Sequence, residues 1–373
     1  MSGVRKTIAV LPGDGIGPEV TRSAVELLED SAAAFGHQFE FRELPFGGVA
    51  IDRCGAPLPP DTLAGCRSAD AILLGAIGGR QWDSLPLAKR PESGLLALRK
   101  ELGLYINLRP IRLRPALQGI SPLRPDRITG CDFEIVRELA GDIYFGEHEL
   151  HGENGSARAR DVASYASAEV ERVARYAFER AAARGHHVTS VDKANVLSTS
   201  VLWRSSVTSV AREFPRVTLD HLYVDNAAMQ LLLRPKQFDV ILTSNMFGDI
   251  LSDEAAALTG SIGLIPSLSR GHKDMPALYE PIHGSAPSLA GKDVACPLGA
   301  IFSASLMLRE SFGLDLEAQR LEAAVDRVLD YGNRTMDIAE PGSRILRCSE
   351  FTSQIRAEMR DSLLHTERYG WGV

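Results

Sequence analysis

Short apolar runs alternate with amphipathic stretches along nearly the whole chain, and this alternation constrains the fold more than any other feature. Runs at 7–12, 71–79, 132–139, 187–193 and 238–245 have the length and composition of buried strands. Stretches at 167–185 and 316–332 repeat their apolar residues at helical spacing, and Pro18 opens a helix after the first run. The pattern predicts an α/β protein. Its 373 residues predict either two domains or one large body.

The composition of the chain argues against nucleic acids and membranes as binding partners. The formal net charge is −7 and no basic run is present, which argues against a nucleic-acid or anionic-membrane surface. The longest apolar stretches fall short of the ~18 residues that span a bilayer, and the start MSGVRKT lacks an apolar signal core. Five cysteines are scattered without CxxC spacing. We therefore expect a cytoplasmic protein with reduced thiols, no membrane segment and a small-molecule ligand.

Three aspartates are candidate metal ligands. Asp249 and Asp253 lie four residues apart in NMFGDILSDEAA, on one face of a helix that follows an apolar strand, and Asp225 ends the run HLYVD. Carboxylates without nearby histidine or cysteine favour Mg²⁺ or Mn²⁺ over zinc. The alternative is an exposed acidic helix face, since like charges at this spacing repel each other. Sequence alone leaves open whether the three converge.

Several basic and phenolic residues are candidates for binding or proton transfer, and Arg109, Arg137 and Lys193 lie at or near the ends of apolar runs. Arg99, Arg109 and Arg137 have the guanidinium geometry that binds carboxylates, and together they could hold a dicarboxylate. Lys193 and Tyr144 can act as acid or base once their surroundings shift their pKa. The alternatives are solvated arginines and a lysine in an ordinary salt bridge.

Two loops are rich in glycine and other small residues. GDGIGPEV follows the first strand, but its G-x-G-x-G spacing is not that of a dinucleotide-binding fingerprint, so a tight strand-to-helix turn is the minimal interpretation. The loop at 280–297 allows close backbone approach to a ligand, with His283 available for stacking or hydrogen bonding.

The motifs in this order resemble the isocitrate and isopropylmalate dehydrogenase family. The similarity extends over most of the chain, through GDGIGPEV, PESGLLALRKELGLYINLRP, IVRELAGDIYFGE, TSVDKANVL, VDNAAMQL, NMFGDILSDEAA and YEPIHGSAPSLAGK. It implies two α/β domains around a shared cleft, without a true Rossmann fold. Residues 1–104 and 260–373 would form a discontinuous large domain on the cofactor side. Residues 105–259 would form a small central domain for dimerisation, metal and substrate.

The resemblance also implies roles for the candidate residues in a homodimer with shared sites. Asp249 and Asp253 of one subunit and Asp225 of the other would hold Mg²⁺ or Mn²⁺, and the three arginines would bind the substrate carboxylates. Lys193 from the partner subunit and Tyr144 would be the catalytic residues. Further substrate-binding residues would be Glu92, Leu95, Leu96, Asn195 and Val196. Cofactor-binding residues would be Ile16, Gly78, Gly79, Glu280, His283, Gly284, Ser285, Ala286, Ser288, Leu289, Ala295 and Cys296.

The implied reaction is NAD-dependent oxidative decarboxylation of 3-isopropylmalate to 2-oxo-4-methylpentanoate, in leucine biosynthesis. Leu95, Leu96 and Val196 favour a branched alkyl substituent, because an apolar pocket would leave a second carboxylate unpaired. Ser288 and Cys296 depart from the aspartate and asparagine usual in the family's cofactor loop. Ala140 and Asp142 depart from its usual ELTGG. The alternatives are the same chemistry on another 3-alkylmalate, homoisocitrate or tartrate, and, more remotely, a non-catalytic family member.

Overall fold

The computed structural model describes residues 3–152 and 156–369, with side chains up to residue 360. The chain divides into two compact units. The first comprises the chain up to Leu102, Arg114–Ile120 and the chain from Thr259 onward, and the second comprises Gly103–Leu113 and Ser121–Leu258. Residues 114–120, expected in the central domain, are counted with the first unit, where Arg114 forms an ion pair with Asp326 at 2.8 Å.

The helices and strands follow one another in three blocks. The first unit begins with β1 (Arg5–Gly13), α1 (Gly17–Phe35), β2 (Gln38–Glu43), α2 (Gly48–Cys54), α3 (Pro60–Arg67), β3 (Ala71–Ala76) and α4 (Pro91–Glu101). The central unit contains β4 (Ile106–Arg112), α5 (Pro125–Ile128), β5 (Asp132–Glu138), β6 (His148–His151), β7 (Arg158–Asp161), α6 (Ser167–Ala182), β8 (His187–Asp192), α7 (Ser198–Ala211), β9 (Thr218–Tyr223), α8 (Val224–Leu233), β10 (Val240–Thr243) and α9 (Asn245–Leu258). The first unit then resumes with β11 (Pro266–Arg270), β12 (Ala277–Pro281), α10 (Leu298–Glu310), α11 (Asp315–Asp330), β13 (Asn333–Arg334), β14 (Arg344–Ile345) and α12 (Cys348–Tyr369).

The first unit is built on strands in the order β2-β1-β3-β12-β11, parallel except for β11. Every residue of β3 is buried, as expected for a parallel strand covered on both faces. Helix α10 is apolar on nearly all sides and is buried in this unit, where it packs against α1 and α11. The core of the unit therefore joins its N-terminal and C-terminal segments.

The central unit has strands in the order β4-β5-β10-β8-β9, parallel except for β4. Helix α6 has its apolar stripe packed against β5, β8 and β10. Strands β6 and β7 form a separate exposed hairpin. The carboxyl ends of β5, β10, β8 and β9 therefore lie at one edge, where open α/β sheets bind their ligands.

The α/β class predicted from the alternating pattern is confirmed, and each predicted strand is present. Strand β10 is shorter than the apolar run at 238–245 that predicted it, because α9 already begins at Asn245, the last residue of that run. The helix predicted at 316–332 is α11, with its apolar stripe buried in the core. No helix within the described part of the chain has the length and apolar character needed to cross a membrane.

Candidate active site

The carboxyl edge of the central sheet brings five of the predicted residues together. Arg137 lies near the end of β5, and Tyr144 lies in the short 3₁₀ turn Ile143–Phe145 that follows it. Asp249 and Asp253 lie on successive turns of α9, directly after β10. Arg109 lies on β4, which pairs with β5. The strand order thus gathers residues from three separate stretches of sequence.

The two arginines of this cluster are buried and bind the aspartates of α9. Arg109 donates to Asp253 at 3.3 Å and to Asp249 at 3.4 Å. Arg137 donates to the same oxygen of Asp249. Their exposures are 7% and 4%, so these are not solvated surface arginines. Buried guanidinium groups suit the binding of carboxylates and other anionic ligands.

Further hydrogen bonds fix the direction of each guanidinium group. Arg109 also donates through Nε to Asn107 Oδ1 at 2.9 Å and through Nη1 to Ser252 Oγ at 2.6 Å. Arg137 donates through Nε to Asn245 Oδ1 at 2.9 Å. Sequence reasoning missed these three partners. Asn107, Asn245 and Ser252 lie inside the motifs that carry the arginines and aspartates, but nothing in the motifs shows which side chains meet.

Tyr144 contacts the same carboxylate as both arginines. Its hydroxyl donates to Asp249 Oδ2 at 2.8 Å, and the Arg137 guanidinium lies 5.5 Å from its ring centre. Partial burial, together with the hydrogen bond and charge of Asp249, raises the pKa of Tyr144. The phenol therefore stays protonated near neutral pH and is able to donate a proton.

Lys193 and Asp225 form a second group at the same edge of the sheet. Lys193 follows β8 and donates to Asp225 Oδ1 at 2.6 Å, and Asp225 lies in the first turn of α8, directly after β9. The hydrogen bond from Lys193 lowers the pKa of Asp225. The salt-bridge interpretation of Lys193 is therefore realised, with a partner that is itself a candidate metal ligand.

The aspartates of α9 have the surroundings that a divalent cation would complete. Burial raises the pKa of Asp253, and the nearby charge of Asp249 adds to this effect. A cation bound by both carboxylates would favour their charged forms at this buried position, and their oxygen atoms suit a hard ion. Within residues 3–152 and 156–369 of one chain, no group of three or more His, Cys, Asp and Glu side chains could hold a metal ion.

The carboxyl edge of the first unit is organised mainly by backbone groups. Asp14, in the turn between β1 and α1, is buried and accepts hydrogen bonds at 2.8 Å from the backbone N–H groups of Gly48, Val49 and Gly78. Ile16 donates through its backbone N–H to the Ser285 carbonyl at 2.8 Å. The glycine-rich turn therefore packs against the loop at 280–297, in agreement with the minimal interpretation of its spacing.

Close backbone packing explains Gly15 in this turn. It has a φ of +59°, and a Cβ placed on it would lie 1.9 Å from the Ser285 carbonyl oxygen. The predicted cofactor-binding residue Ile16 is buried beside it. Gly78 and Gly79 follow β3, and the carboxylate of Glu92 lies against Gly78.

The loop after β12 contains most of the predicted cofactor-binding residues. Ser288 and Leu289 are exposed, with Gly284 and Ala286 at least partly accessible. Ala295 and Cys296 are buried, and burial raises the pKa of the Cys296 thiol. Cys296 could therefore meet a ligand through its backbone but not as a thiolate.

Two polar groups of the first unit are buried near this loop. Arg99 on α4 donates to Glu280 Oε1 at 2.8 Å, and each side chain is 12% exposed. His283 lies against the Gly284 carbonyl at 2.9 Å, and burial lowers its pKa, which keeps the imidazole neutral. Neither Arg99 Nε nor His283 Nε2 has a hydrogen-bond partner among the described residues.

The predicted pocket residues are at least partly accessible in their own units. Leu95 and Leu96 are half-buried on α4, next to the exposed Glu92. Asn195 and Val196 are exposed after β8, with Val196 at 70%. This exposure leaves Val196 accessible to another molecule.

Comparison with known proteins identifies the family. The family model described as isocitrate/isopropylmalate dehydrogenase matches residues 7–355. The chain belongs to this family. It is 54% identical over 360 residues to the 3-isopropylmalate dehydrogenase of Bacillus licheniformis, covering 96% of this chain and 97% of that protein. It is 55% identical over 355 residues to the 3-isopropylmalate dehydrogenase of Geobacillus kaustophilus, covering 95% of each.

Solved structures of family members have the same fold. The isocitrate dehydrogenase of Methylococcus capsulatus superposes with a TM-score of 0.85 at 32% identity, covering 95% of this chain and 99% of that chain. The apo β-decarboxylating dehydrogenase of Thermococcus kodakarensis superposes with a TM-score of 0.78 at 37% identity, covering 99% of each. The predicted fold of the isocitrate and isopropylmalate dehydrogenase family is therefore confirmed.

Proposed function

We propose that this chain oxidises 3-isopropylmalate with NAD and releases CO₂, giving 2-oxo-4-methylpentanoate in leucine biosynthesis. The observation that carries the proposal is the cluster of Arg109, Arg137, Tyr144, Asp249 and Asp253, in a chain that is more than half identical to 3-isopropylmalate dehydrogenases. Buried arginines suit the substrate carboxylates, and the half-buried Leu95 and Leu96 suit an isopropyl group better than a carboxylate.

The residues present fit a bound Mg²⁺ or Mn²⁺. Asp249 and Asp253 supply carboxylate oxygens from one chain, and burial raises the pKa of Asp253. We assign Asp225 of a second copy as the further ligand. When bound, the ion would polarise the C2 oxygen and stabilise negative charge that develops on it. The carboxylates would hold the ion in place for both halves of the reaction.

In the oxidation, Arg109 and Arg137 would orient the substrate through its carboxylates. Lys193 would assist removal of the C2 hydroxyl proton while the C2 hydride leaves to the nicotinamide. The product of this half-reaction is a 2-keto acid that still carries the carboxylate at C3. Arg99, paired with Glu280, is the third carboxylate-binding candidate.

In the decarboxylation, the bond between C3 and its carboxylate breaks, CO₂ leaves, and the electron pair moves into an enolate. A proton must then be added at C3. Tyr144 is suited to supply it, because a phenol is protonated near neutral pH and the enolate is basic enough to take its proton. The hydrogen bond to Asp249 holds the hydroxyl in position.

We further propose a homodimer in which each copy completes the other's site. Helices α8 and α9 pack together and expose large apolar side chains that a second copy would cover. These are Met229, Leu232, Leu233 and Ile250, with exposures between 44% and 58%. The exposed Val196 and the Lys193–Asp225 pair would then belong to the partner's site. The unpaired cysteines agree with a reducing, cytoplasmic setting.

Substrate and cofactor are tested by NADH and NADPH formation with Mg²⁺ or Mn²⁺. The purified chain is offered 3-isopropylmalate, isocitrate, homoisocitrate, tartrate and D-malate in parallel. We expect metal-dependent NADH formation to be most efficient with 3-isopropylmalate, and chelation with EDTA to abolish it. Higher kcat/KM with another malate would replace the proposed substrate, and absence of turnover with every malate would support a non-catalytic role.

The shared site is tested by co-expression of two inactive variants. Tyr144→Phe and Lys193→Ala inactivate different halves of each site, so a mixed dimer retains one site with both native residues. Random pairing should restore about a quarter of wild-type activity, because half of the dimers are mixed and each has one intact site. Variants mixed only after separate purification as stable dimers serve as the control. No recovery on co-expression would show that each chain builds its own site.

A further inference from the structure

Asp142 has a backbone conformation that side chains rarely adopt. It lies between β5 and the turn that carries Tyr144, with φ of +67° and ψ of −163°. In this region the Cβ of an ordinary residue is crowded, and glycine is the usual occupant. A non-glycine residue persists there only when its surroundings hold it in place. The structure shows what holds Asp142.

The carboxylate of Asp142 joins two elements of the central unit. Oδ1 accepts a hydrogen bond from the backbone N–H of Ile143 at 2.9 Å, at the start of the turn. Oδ2 accepts from the backbone N–H of Met246 at 3.1 Å, in the first turn of α9. An anion at this position also interacts favourably with the helix dipole. The side chain is buried, with 8% exposure.

The turn and the helix meet again at the reacting groups. Tyr144, the second residue of the turn, donates to Asp249 Oδ2 at 2.8 Å, and Asp249 lies about one helical turn after Met246. The segment 141–144 is therefore joined to α9 at three points, because the Gly141 carbonyl also accepts from Asn245 Nδ2 at 3.0 Å. Asp142 supplies one of these contacts and has no place among the reacting atoms, whereas Tyr144 supplies the contact at Asp249.

We infer that Asp142 is a positioning residue, whose carboxylate fixes the turn against α9 so that the Tyr144 hydroxyl points at the metal-binding carboxylate. The inference rests on the proposed function of Tyr144 as the proton donor. Without the carboxylate, the Tyr144 hydroxyl is still present, but its position is no longer fixed. A small displacement of a proton donor is enough to slow a reaction without weakening substrate binding.

Two substitutions distinguish the effect of the Asp142 carboxylate from the effect of its backbone conformation. Asp142→Gly suits the positive φ and removes both hydrogen bonds, whereas Asp142→Asn keeps one acceptor oxygen at this position. We expect kcat to fall about tenfold in Asp142→Gly and about threefold in Asp142→Asn, with KM for 3-isopropylmalate within about twofold of wild type. The Tm should change by no more than about 3 °C, because relief of strain offsets the lost hydrogen bonds.

Asp239→Asn is the matched control. Asp239 is also a mostly buried aspartate of the central unit, and it accepts from the backbone N–H of His187 at 3.1 Å. It lies before β10, at the opposite edge of the sheet from Tyr144. We expect unchanged kcat for this variant. An equal fall in Asp239→Asn, or kcat within twofold of wild type in Asp142→Gly, would overturn the inference.

A crystal structure of apo Asp142→Gly beside that of the wild type tests the inference without activity. Displacement or multiple conformers of Tyr144, with loss of its hydrogen bond to Asp249, is the expected result. A Tyr144 that keeps this hydrogen bond in the variant would overturn the inference. Wild-type protein that turns over none of the malates would refute the proposed function instead, and the crystal structures would still decide the role of Asp142.

Discussion

The carboxyl ends of the strands are surrounded by different kinds of chemical group in the two units. In the central unit, charged side chains contact one another, and Asp249 alone receives hydrogen bonds from Arg109, Arg137 and Tyr144. In the first unit, the loops are held by backbone groups, as in the contacts of Asp14 with three N–H groups and of Ile16 with Ser285. The central unit therefore brings several charged side chains within contact of one another. The first unit instead presents closely packed loops.

This difference predicts that substitutions in the two regions affect different measurements. Changes in the central cluster should lower turnover in a folded protein. Changes in the loops of the first unit, which are held by backbone hydrogen bonds, should alter stability or cofactor affinity and leave the rate of the chemical step unchanged. The substitutions below test that separation.

Tyr144→Phe should have the largest effect. The variant lacks the proton donor but keeps the ring beside Arg137, so we expect kcat to fall by about 10²–10⁴-fold. Circular dichroism and Tm should match the wild type, because the hydroxyl is partly exposed and only one hydrogen bond is lost. Steady-state kinetics with 3-isopropylmalate measures the effect. Near-normal kcat would remove Tyr144 from the mechanism.

Asp14→Ala should have the next largest effect. It should lower the free energy of unfolding rather than the turnover rate. It leaves three backbone N–H groups without their acceptor at a buried site, which we expect to cost about 3 kcal/mol of unfolding free energy. Urea denaturation measures this cost. Asp70→Ala is the control, since Asp70 accepts from Thr7 N–H at 2.8 Å but is exposed, and its loss should cost less than about 1 kcal/mol. Equal losses would contradict the importance of burial at Asp14.

Gly15→Ala should weaken cofactor binding. The added Cβ would meet the Ser285 carbonyl at 1.9 Å, so the loop at 280–297 must shift. We expect KM for NAD to rise about tenfold while kcat at saturating NAD stays within about twofold, because only ground-state binding is affected. Gly55→Ala is a control in the same unit, since it also has positive φ but has open space around its Cβ. A fall in kcat alone would show that the loop takes part in chemistry.

Ser288→Asp should have the smallest effect of the four substitutions, and it should strengthen NAD binding rather than weaken it. Ser288 is exposed in the cofactor loop, and a carboxylate there could accept hydrogen bonds from the ribose hydroxyls of NAD. We expect KM for NAD to fall about threefold, whereas KM for NADP should rise because its phosphate would be repelled. Unchanged values for both cofactors would place the adenosine ribose elsewhere.

The side-chain cluster was partly visible in the sequence. Asp249 and Asp253 stand out because their spacing puts them on one helix face after an apolar strand. Arg109 and Arg137 were identifiable as candidates, but their common partner depends on strand order, which pairs β4 with β5 and β5 with β10. Local pattern does not encode that order.

The loops of the first unit that are held by backbone hydrogen bonds were less predictable. Asp14 lies in a motif that drew attention for its glycines, yet its own role depends on N–H groups from residues 48, 49 and 78. Glu138 is a similar case. It is fully buried and accepts from the backbone of Ala140 and Gly141, and burial raises its pKa. The contacts of Asp14 exist only once distant segments have met, whereas those of Glu138 are local but depend on a backbone conformation that the sequence pattern does not show.

The buried helix α10 has a consequence for synthesis on the ribosome. Strand β3 pairs with β12, and α1 packs against α10, yet β12 and α10 follow the entire central unit along the chain. The central unit has all its strands once Leu258 has been made, whereas the first unit must keep an open strand edge and an uncovered apolar helix until its last segments emerge. We therefore expect chains truncated near residue 260 and released from the ribosome to show a protease-resistant central unit, while the N-terminal segment remains susceptible and dependent on chaperones.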